Sequence, residues 1–143
     1  MDCIKITFEK LEVETIVNEV ISPTCGGVSV FIGTTRDNEE GKKVLELQYE
    51  AYDAMALKEM RKISNEMRQK WPVKNIAIVH RKGTVPVGEA SVVVAACSEH
   101  RKEAQEAVMW CMDALKEKVP IWKKEIYEDG CTWKENKECP WTK

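Results

Sequence analysis

Pro120 constrains the fold of this chain more than any other single residue. Proline has no amide proton and disfavours helical backbone at the preceding residue, so the strongly patterned helix before it is predicted to end near Val119. The segment that follows is predicted to be extended, which places Lys123 and Lys124 on opposite faces. Lys116 lies on the last helical turn. Lysines therefore gather where the chain changes direction.

These lysines allow two interpretations. Lysines near a helix C-terminus complement the helix dipole, and many of them are only solvated. Alternatively, one of Lys123 and Lys124 faces a cleft while the other faces away from it.

The start of the same helix is also cationic. Ser98 is predicted to be its N-cap, which puts Glu99, His100 and Arg101 in the first turn. A helix N-terminus favours acids or a bound anion, so His100 and Arg101 indicate an anion site. Otherwise they are surface residues, with Glu99 offsetting the dipole. Because Arg101 and Lys116 are about 22 Å apart along a helix, they serve separate sites or meet across a dimer.

The rest of the pattern predicts several strands and two further helices. Alternating or β-branched runs indicate strands, and apolar residues at helical spacing indicate helices. The charge-free run 90–97 is predicted to be a central strand, and 28–33 an interior one. The other predicted strands are 4–8, 44–52 and 73–80, and the other helices are 13–20 and one that Asp53 caps and Trp71-Pro72 ends.

Two polar segments, 34–43 and 81–89, are predicted to be loops. Arg36 lies in the first of them, directly after a predicted strand. A side chain at that point either faces a cleft or is an ordinary surface arginine.

Composition argues against several classes of function. The net charge of −2 provides no general attraction for nucleic acid, so an anion site has to be local. No apolar run is long enough to span a bilayer and no signal peptide is recognisable, which predicts a cytoplasmic (cytosolic) protein. The six cysteines lack C-x-x-C spacing and there are two histidines, so buried thiols are expected rather than a metal site.

The chain is predicted to be a single domain, 1–143, with a C-terminal arm from about 130. It has no P-loop and no Ser-His-Asp arrangement. The class of catalysis that is left is one in which a lysine acts on an anionic substrate. Clustered cations lower one another's pKa, which can leave a lysine partly neutral and hence nucleophilic or basic.

Seven motifs carry a resemblance to a known family, and the proline-containing one is the most specific. From about residue 26 into the C-terminal tail, the chain resembles the large, catalytic subunit of molybdopterin synthase. The motifs are Gly26-Gly27, Phe31-x-Gly33-x-x-Arg36, Tyr49-Glu50-Ala51-Tyr52, Lys70-Trp71-Pro72, His80-Arg81, Ser98-x-His100-Arg101 and Val119-Pro120-Ile121-Trp122-Lys123-Lys124-Glu125.

The resemblance implies a fold, partners and an activity. The fold is an α/β-hammerhead, an α+β arrangement with a mixed, largely antiparallel sheet and three helices. A homodimer is flanked by two copies of a small ubiquitin-like sulfur carrier, giving a heterotetramer. Each carrier ends in a Gly-Gly thiocarboxylate. The enzyme, a sulfurtransferase of molybdenum cofactor biosynthesis, moves two sulfurs to cyclic pyranopterin monophosphate and forms the dithiolene of molybdopterin. No cofactor or metal is expected in this subunit.

The resemblance also assigns residues. Lys116 and Lys123 match the principal catalytic lysines. The expected substrate-binding residues are the anion-binding Arg36, His100 and Arg101, and Lys124 and Glu125 of the lysine segment.

Two points stay open at this level. Bacterial members contribute a basic residue from a longer tail, and Lys137 is the one matching cation in this chain. The competing interpretation is a non-catalytic dimeric module of the same fold that binds an anion or a partner.

Overall fold

A computed structural model describes residues 1–128 and 130–134, the last five by their backbone alone. Within these residues the chain forms three helices and two β-sheets. In chain order the elements are β1 (Asp2–Thr7), α1 (Val13–Val20), β2 (Gly27–Thr34), β3 (Asn38–Glu39), β4 (Lys42–Ala51), α2 (Asp53–Lys70), β5 (Val73–Arg81), β6 (Gly83–Pro86), β7 (Ala90–Ser98), α3 (Arg101–Lys118), β8 (Ile121–Tyr127) and β9 (Gly130–Lys134).

The first sheet has the strand order β1-β5-β7-β2, with β1 parallel to β5 and the other pairs antiparallel. Its two faces are both covered, which explains why β7 is apolar without alternation. On one face Ile76 and Ile78 pack into a core with α2 and α3. On the other, Ala77 and Val79 pack into a second core with α1.

The second sheet is built around β4, which pairs with β3, β6 and β8, while β8 also pairs with β9. All of these pairs are antiparallel. The chain enters β8 directly from the end of α3, and the register places Lys123 opposite Tyr49. This sheet therefore holds the segment after Pro120 beside the end of α3.

The predicted fold class is confirmed: the sheets are mixed and largely antiparallel, with three helices. The third helix ends as predicted, with Val119 as its C-cap. The run 90–97 is also central as predicted, since β7 lies between β5 and β2.

Three local predictions are wrong. The strand predicted to be interior, 28–33, is an edge strand of the described sheet, and Val28, Phe31 and Ile32 on it are exposed. The predicted loops 34–43 and 81–89 each contain a short strand, β3 and β6. Such strands are too short to show a period of two in the sequence.

The predicted helix caps also differ from those observed. The N-cap of α3 is His100, and the Ser98 hydroxyl instead accepts a hydrogen bond from the Ala104 amide at 3.0 Å. The N-cap of α2 is Tyr52, while the Asp53 carboxylate pairs with Lys82. Ser98 and Asp53 therefore both make polar contacts, but neither is the N-cap residue that the sequence pattern predicts.

Cys3, Cys97 and Cys111 are buried free thiols, as expected, and Cys25 is half-buried. No helix among the described residues is long and apolar enough to cross a membrane. Of the predicted C-terminal arm, 130–134 form β9, and Lys137 lies outside the described residues.

Candidate active site

A cleft of about 460 Å³ lies between the end of α3, the first sheet and the β4–β8 pair. Its walls combine apolar side chains with several ionisable ones. Those that carry chemistry are Arg36, Glu39, Tyr49, His80, Ser91, Lys116, Lys123 and Glu125.

A second cavity of similar size, about 440 Å³, opens near Phe8. The single lysine that lines it, Lys82, pairs with Asp53 and lies 4.5 Å from the Phe8 ring centroid. That cavity gathers no other cation among the described residues, so the first cleft is the stronger candidate.

Lys116 and Lys123 reach the cleft from different elements. Lys116 projects from the last turn of α3, which closes when the Val119 amide donates to the Leu115 carbonyl at 3.1 Å. Two residues beyond, the Ile121 amide donates to the Val119 carbonyl at 2.9 Å, and β8 begins. The change of direction at Pro120 thus brings both lysines to one cleft.

Strand alternation decides which residues of β8 line the cleft. Lys123 and Glu125 do, whereas Lys124 between them is not among the lining residues. The expectation that Lys123 and Lys124 face opposite ways therefore agrees with the structure.

Glu125 is buried at 2% exposure. The Tyr127 hydroxyl donates a hydrogen bond to Oε2 of Glu125 at 2.7 Å. A buried carboxylate is stable only when it is hydrogen-bonded or paired, so this contact holds Glu125 in place beside the lysines.

Arg36 lies at the rim of the cleft, where its side chain is 77% exposed. Its Nη2 donates to the Glu39 carboxylate at 2.6 Å, and Glu39 belongs to the short strand β3. An exposed ion pair of this kind contributes little stability, so an anion can compete with Glu39 for the guanidinium. The exposure of the Arg36 side chain leaves it accessible to such an anion.

Sequence reasoning placed His80 below the other candidates and gave Tyr49 no role, yet both line the cleft. Their rings meet edge to face with centroids 5.0 Å apart. Burial raises the pKa of Tyr49, and the charge of Glu125 acts in the same direction. Burial lowers the pKa of His80 to about 4, so the ring is neutral near pH 7. The sequence feature that could have identified both residues as part of the site is their presence in the Tyr-Glu-Ala-Tyr and His-Arg motifs.

His100 and Arg101 are placed elsewhere. Both are exposed at the start of α3, and neither lines the cleft formed by the described residues of one chain. Gly27 of β2 lies against this helix start: a Cβ built there would be 2.8 Å from Cα of Arg101. A glycine is therefore required for β2 to approach the helix this closely.

The described residues include no group of three or more His, Cys, Asp or Glu side chains able to hold a metal ion. The cleft instead combines two lysines, a rim arginine, a buried carboxylate and a neutral imidazole. That set can bind an anionic group and exchange protons with it.

Comparison with known proteins gives consistent results. Residues 6–118 match the family model described as "MoaE protein". The chain is 61% identical over 141 residues to the molybdopterin synthase catalytic subunit of Taeniopygia guttata, covering 98% of this chain and 91% of that one. The human protein of the same name is 59% identical over 140 residues, covering 98% and 74%. The structure of the present chain is similar to the crystal structure of molybdopterin synthase from Staphylococcus aureus, with a TM-score of 0.86 and 40% identity. The match covers 90% of this chain and 94% of that one.

Proposed function

The chain belongs to the MoaE protein family, and from that premise we propose that it is the catalytic subunit of a molybdopterin synthase. It accepts sulfur from the thiocarboxylated C-terminus of a small ubiquitin-like carrier. It transfers that sulfur to cyclic pyranopterin monophosphate, and two transfers complete the dithiolene of molybdopterin.

One observation carries this proposal: Lys116 and Lys123 line one cleft of about 460 Å³, together with the buried Glu125. That volume is in the range of sites for small molecules. A thiocarboxylate and a phosphate are both anions, and ammonium groups form short, charge-assisted hydrogen bonds with anions. The cleft is thus suited to holding a carrier tail next to an anionic pterin.

We assign each lysine a role in this reaction. Lys116, at the end of α3, meets the C-terminal group of the carrier. Lys123, on the strand across the cleft, assists the proton transfers that accompany sulfur addition. Glu125 is buried beside them, and Lys124 completes the segment from the other face of β8.

The substrate phosphate is held by Arg36 together with His100 and Arg101. Because the two ends of α3 are about 22 Å apart, His100 and Arg101 do not reach a ligand bound at Lys116 of the same chain. They come from the second subunit of a homodimer, in which each site combines one helix end with the partner's helix start.

The assembly is a homodimer with a carrier bound at each end, a heterotetramer that works in the cytosol. Residues 1–143 act as one domain. The subunit needs no resident metal or cofactor, because the pterin is a substrate.

A single-turnover assay tests this function. Purified protein is mixed with thiocarboxylated carrier and cyclic pyranopterin monophosphate, and the oxidised product is measured by fluorescence. Formation of the dithiolene supports the proposal. Carrier binding without product would instead support the non-catalytic binding module.

A further inference from the structure

His80 occupies a position that the fold would otherwise give to an aliphatic residue. On β5 it shares a face with Ile76 and Ile78, which are fully buried beneath α2 and α3. Its neighbour across the antiparallel pair is Val92 on β7. The core opens into the cleft at this point, so the imidazole forms part of the cleft floor.

The contacts of the ring define its tautomer. Nδ1 of His80 is 2.7 Å from the carbonyl oxygen of Arg81. A carbonyl oxygen only accepts hydrogen bonds, so Nδ1 carries the proton of the neutral ring and donates it there. Nε2 then holds a lone pair, and it has no hydrogen-bond partner among the described residues. Because Nδ1 is already bonded, Nε2 is the ring nitrogen that is left for a ligand in the cleft that His80 lines.

The ring is also held in position. Tyr49 packs against it edge to face, and Nδ1 is hydrogen-bonded to the Arg81 carbonyl. Together these two contacts restrict the rotation of the His80 ring.

The cleft presents both donors and acceptors. Lys116, Lys123 and Arg36 are donors only. The carboxylates of the cleft, Glu39 and Glu125, are acceptors and accept from Arg36 and Tyr127. The neutral imidazole adds an uncharged acceptor to the cleft floor.

We propose that Nε2 of His80 accepts a hydrogen bond from an N–H group of the pterin ring and so selects the heterocycle of the substrate. This inference rests on the proposed function. The lysines and arginines attract any small phosphate, whereas His80 distinguishes a phosphate that carries an N–H donor. A site with a buried acceptor disfavours ligands that leave it unpaired.

The test compares His80→Phe with the wild-type protein. Phenylalanine keeps the ring and its contact with Tyr49 but removes the acceptor. The expected result is about tenfold weaker binding of cyclic pyranopterin monophosphate, the size of one lost hydrogen bond. The inhibition constant of inorganic phosphate and the Kd of the carrier are expected to stay the same, because neither ligand uses Nε2.

His80→Gln is the matched variant, since its side-chain carbonyl can still accept, and it is expected to bind the pterin more tightly than His80→Phe. If His80→Phe does not fold, His80→Gln is compared with His80→Met, which has similar length and no strong acceptor.

Equal pterin affinity in wild type and His80→Phe would overturn the inference, as would an equal loss for pterin and for inorganic phosphate. Failure of the proposed function gives a different result. In that case the wild-type protein itself would bind no pterin and form no dithiolene.

Discussion

At the scale of single residues, side chains of the same type differ in exposure and in the contacts that hold them. Glu39 and Glu125 are both carboxylates, but Glu39 is bonded to an exposed arginine at the rim whereas Glu125 is buried and held by Tyr127. The two histidines differ in the same way: His100 is 77% exposed and His80 lies in the cleft floor. Each residue type therefore supplies one more exposed group and one group fixed inside the cleft.

His80 also predicts how stability depends on pH. Its pKa is lowered by burial from 6.5 to about 4, so the unfolded chain binds a proton that the folded one does not between these values. The free energy of unfolding is therefore unaffected by His80 well above pH 6.5, and it decreases as the pH falls towards 4. At pH 5 the decrease due to His80 is about 2 kcal/mol.

Urea unfolding of wild type and His80→Phe at pH 7 and pH 5, at one protein concentration, measures this effect. The carboxylates titrate in both proteins, so their contributions cancel in the comparison. The free energy of unfolding is expected to fall further in wild type than in the variant. An equal fall in both would contradict the assignment of a neutral His80 in the cleft floor.

At the scale of elements, α3 and β2 together set the position of the predicted anion-binding residues. Gly27 allows β2 to lie against the start of α3, and a Cβ there would also be 2.9 Å from the Arg101 amide nitrogen. The neighbouring atoms are backbone, so they cannot give way by a side-chain rotation.

Gly27→Ala is therefore expected to destabilise the fold by about 1–3 kcal/mol and to displace His100 and Arg101. Thermal unfolding measures the first effect, and competition by inorganic phosphate measures the second. Gly88→Ala is the control: it introduces backbone strain at a φ of +84° but has no atom within 4 Å of the new Cβ. Phosphate affinity that falls equally in both variants would argue against a specific role for the β2–α3 contact.

Most of the elements could be predicted from the sequence, because their signals are local. Pro120 ends α3 by its own chemistry, and the charge-free run of β7 is incompatible with an exposed strand. The edge position of β2 could not be predicted, because an apolar strand looks the same whether its own sheet or a second subunit covers it. Strands β3 and β6 exist only through pairing with β4, a contact between distant parts of the chain.

The candidate site was predictable only in part, for a related reason. Lys123 and Glu125 lie in one motif and Lys116 lies on the helical turn just before it, so the sequence around Pro120 was enough to group them. Tyr49 and His80 join them through the register of β4 with β8 and through the packing of the first sheet. Neither relation has a local sequence signal, and the tautomer of His80 depends on a single contact with the Arg81 carbonyl.

At the scale of the whole molecule, the proposed site requires a dimer because of the length of α3. With Lys116 at one end and Arg101 at the other, one subunit cannot supply both to one small ligand. The exposed apolar residues of β2 and Met109 of α3, which is 70% exposed, are available for contact with a second copy.

Mixed dimers test this arrangement. Lys116→Ala and Arg101→Ala dimers are each expected to be inactive alone. After their subunits exchange, half of the dimers carry one intact site of two, so about a quarter of wild-type activity returns. Exchange without any recovery of sulfur transfer would show that each site is built from one chain.

The central claim is that sulfur transfer takes place at the cleft of Lys116 and Lys123. The most direct measurement is single-turnover formation of the dithiolene by Lys116→Ala and Lys123→Ala. Lys118→Ala is the matched control, because Lys118 lies on the same helical turn but its Nζ is 3.8 Å from the Glu66 carboxylate and near Trp110. We expect at least a roughly hundredfold lower rate in the first two variants and an unchanged rate in the third. Wild-type rates in folded Lys116→Ala and Lys123→Ala proteins would contradict the account.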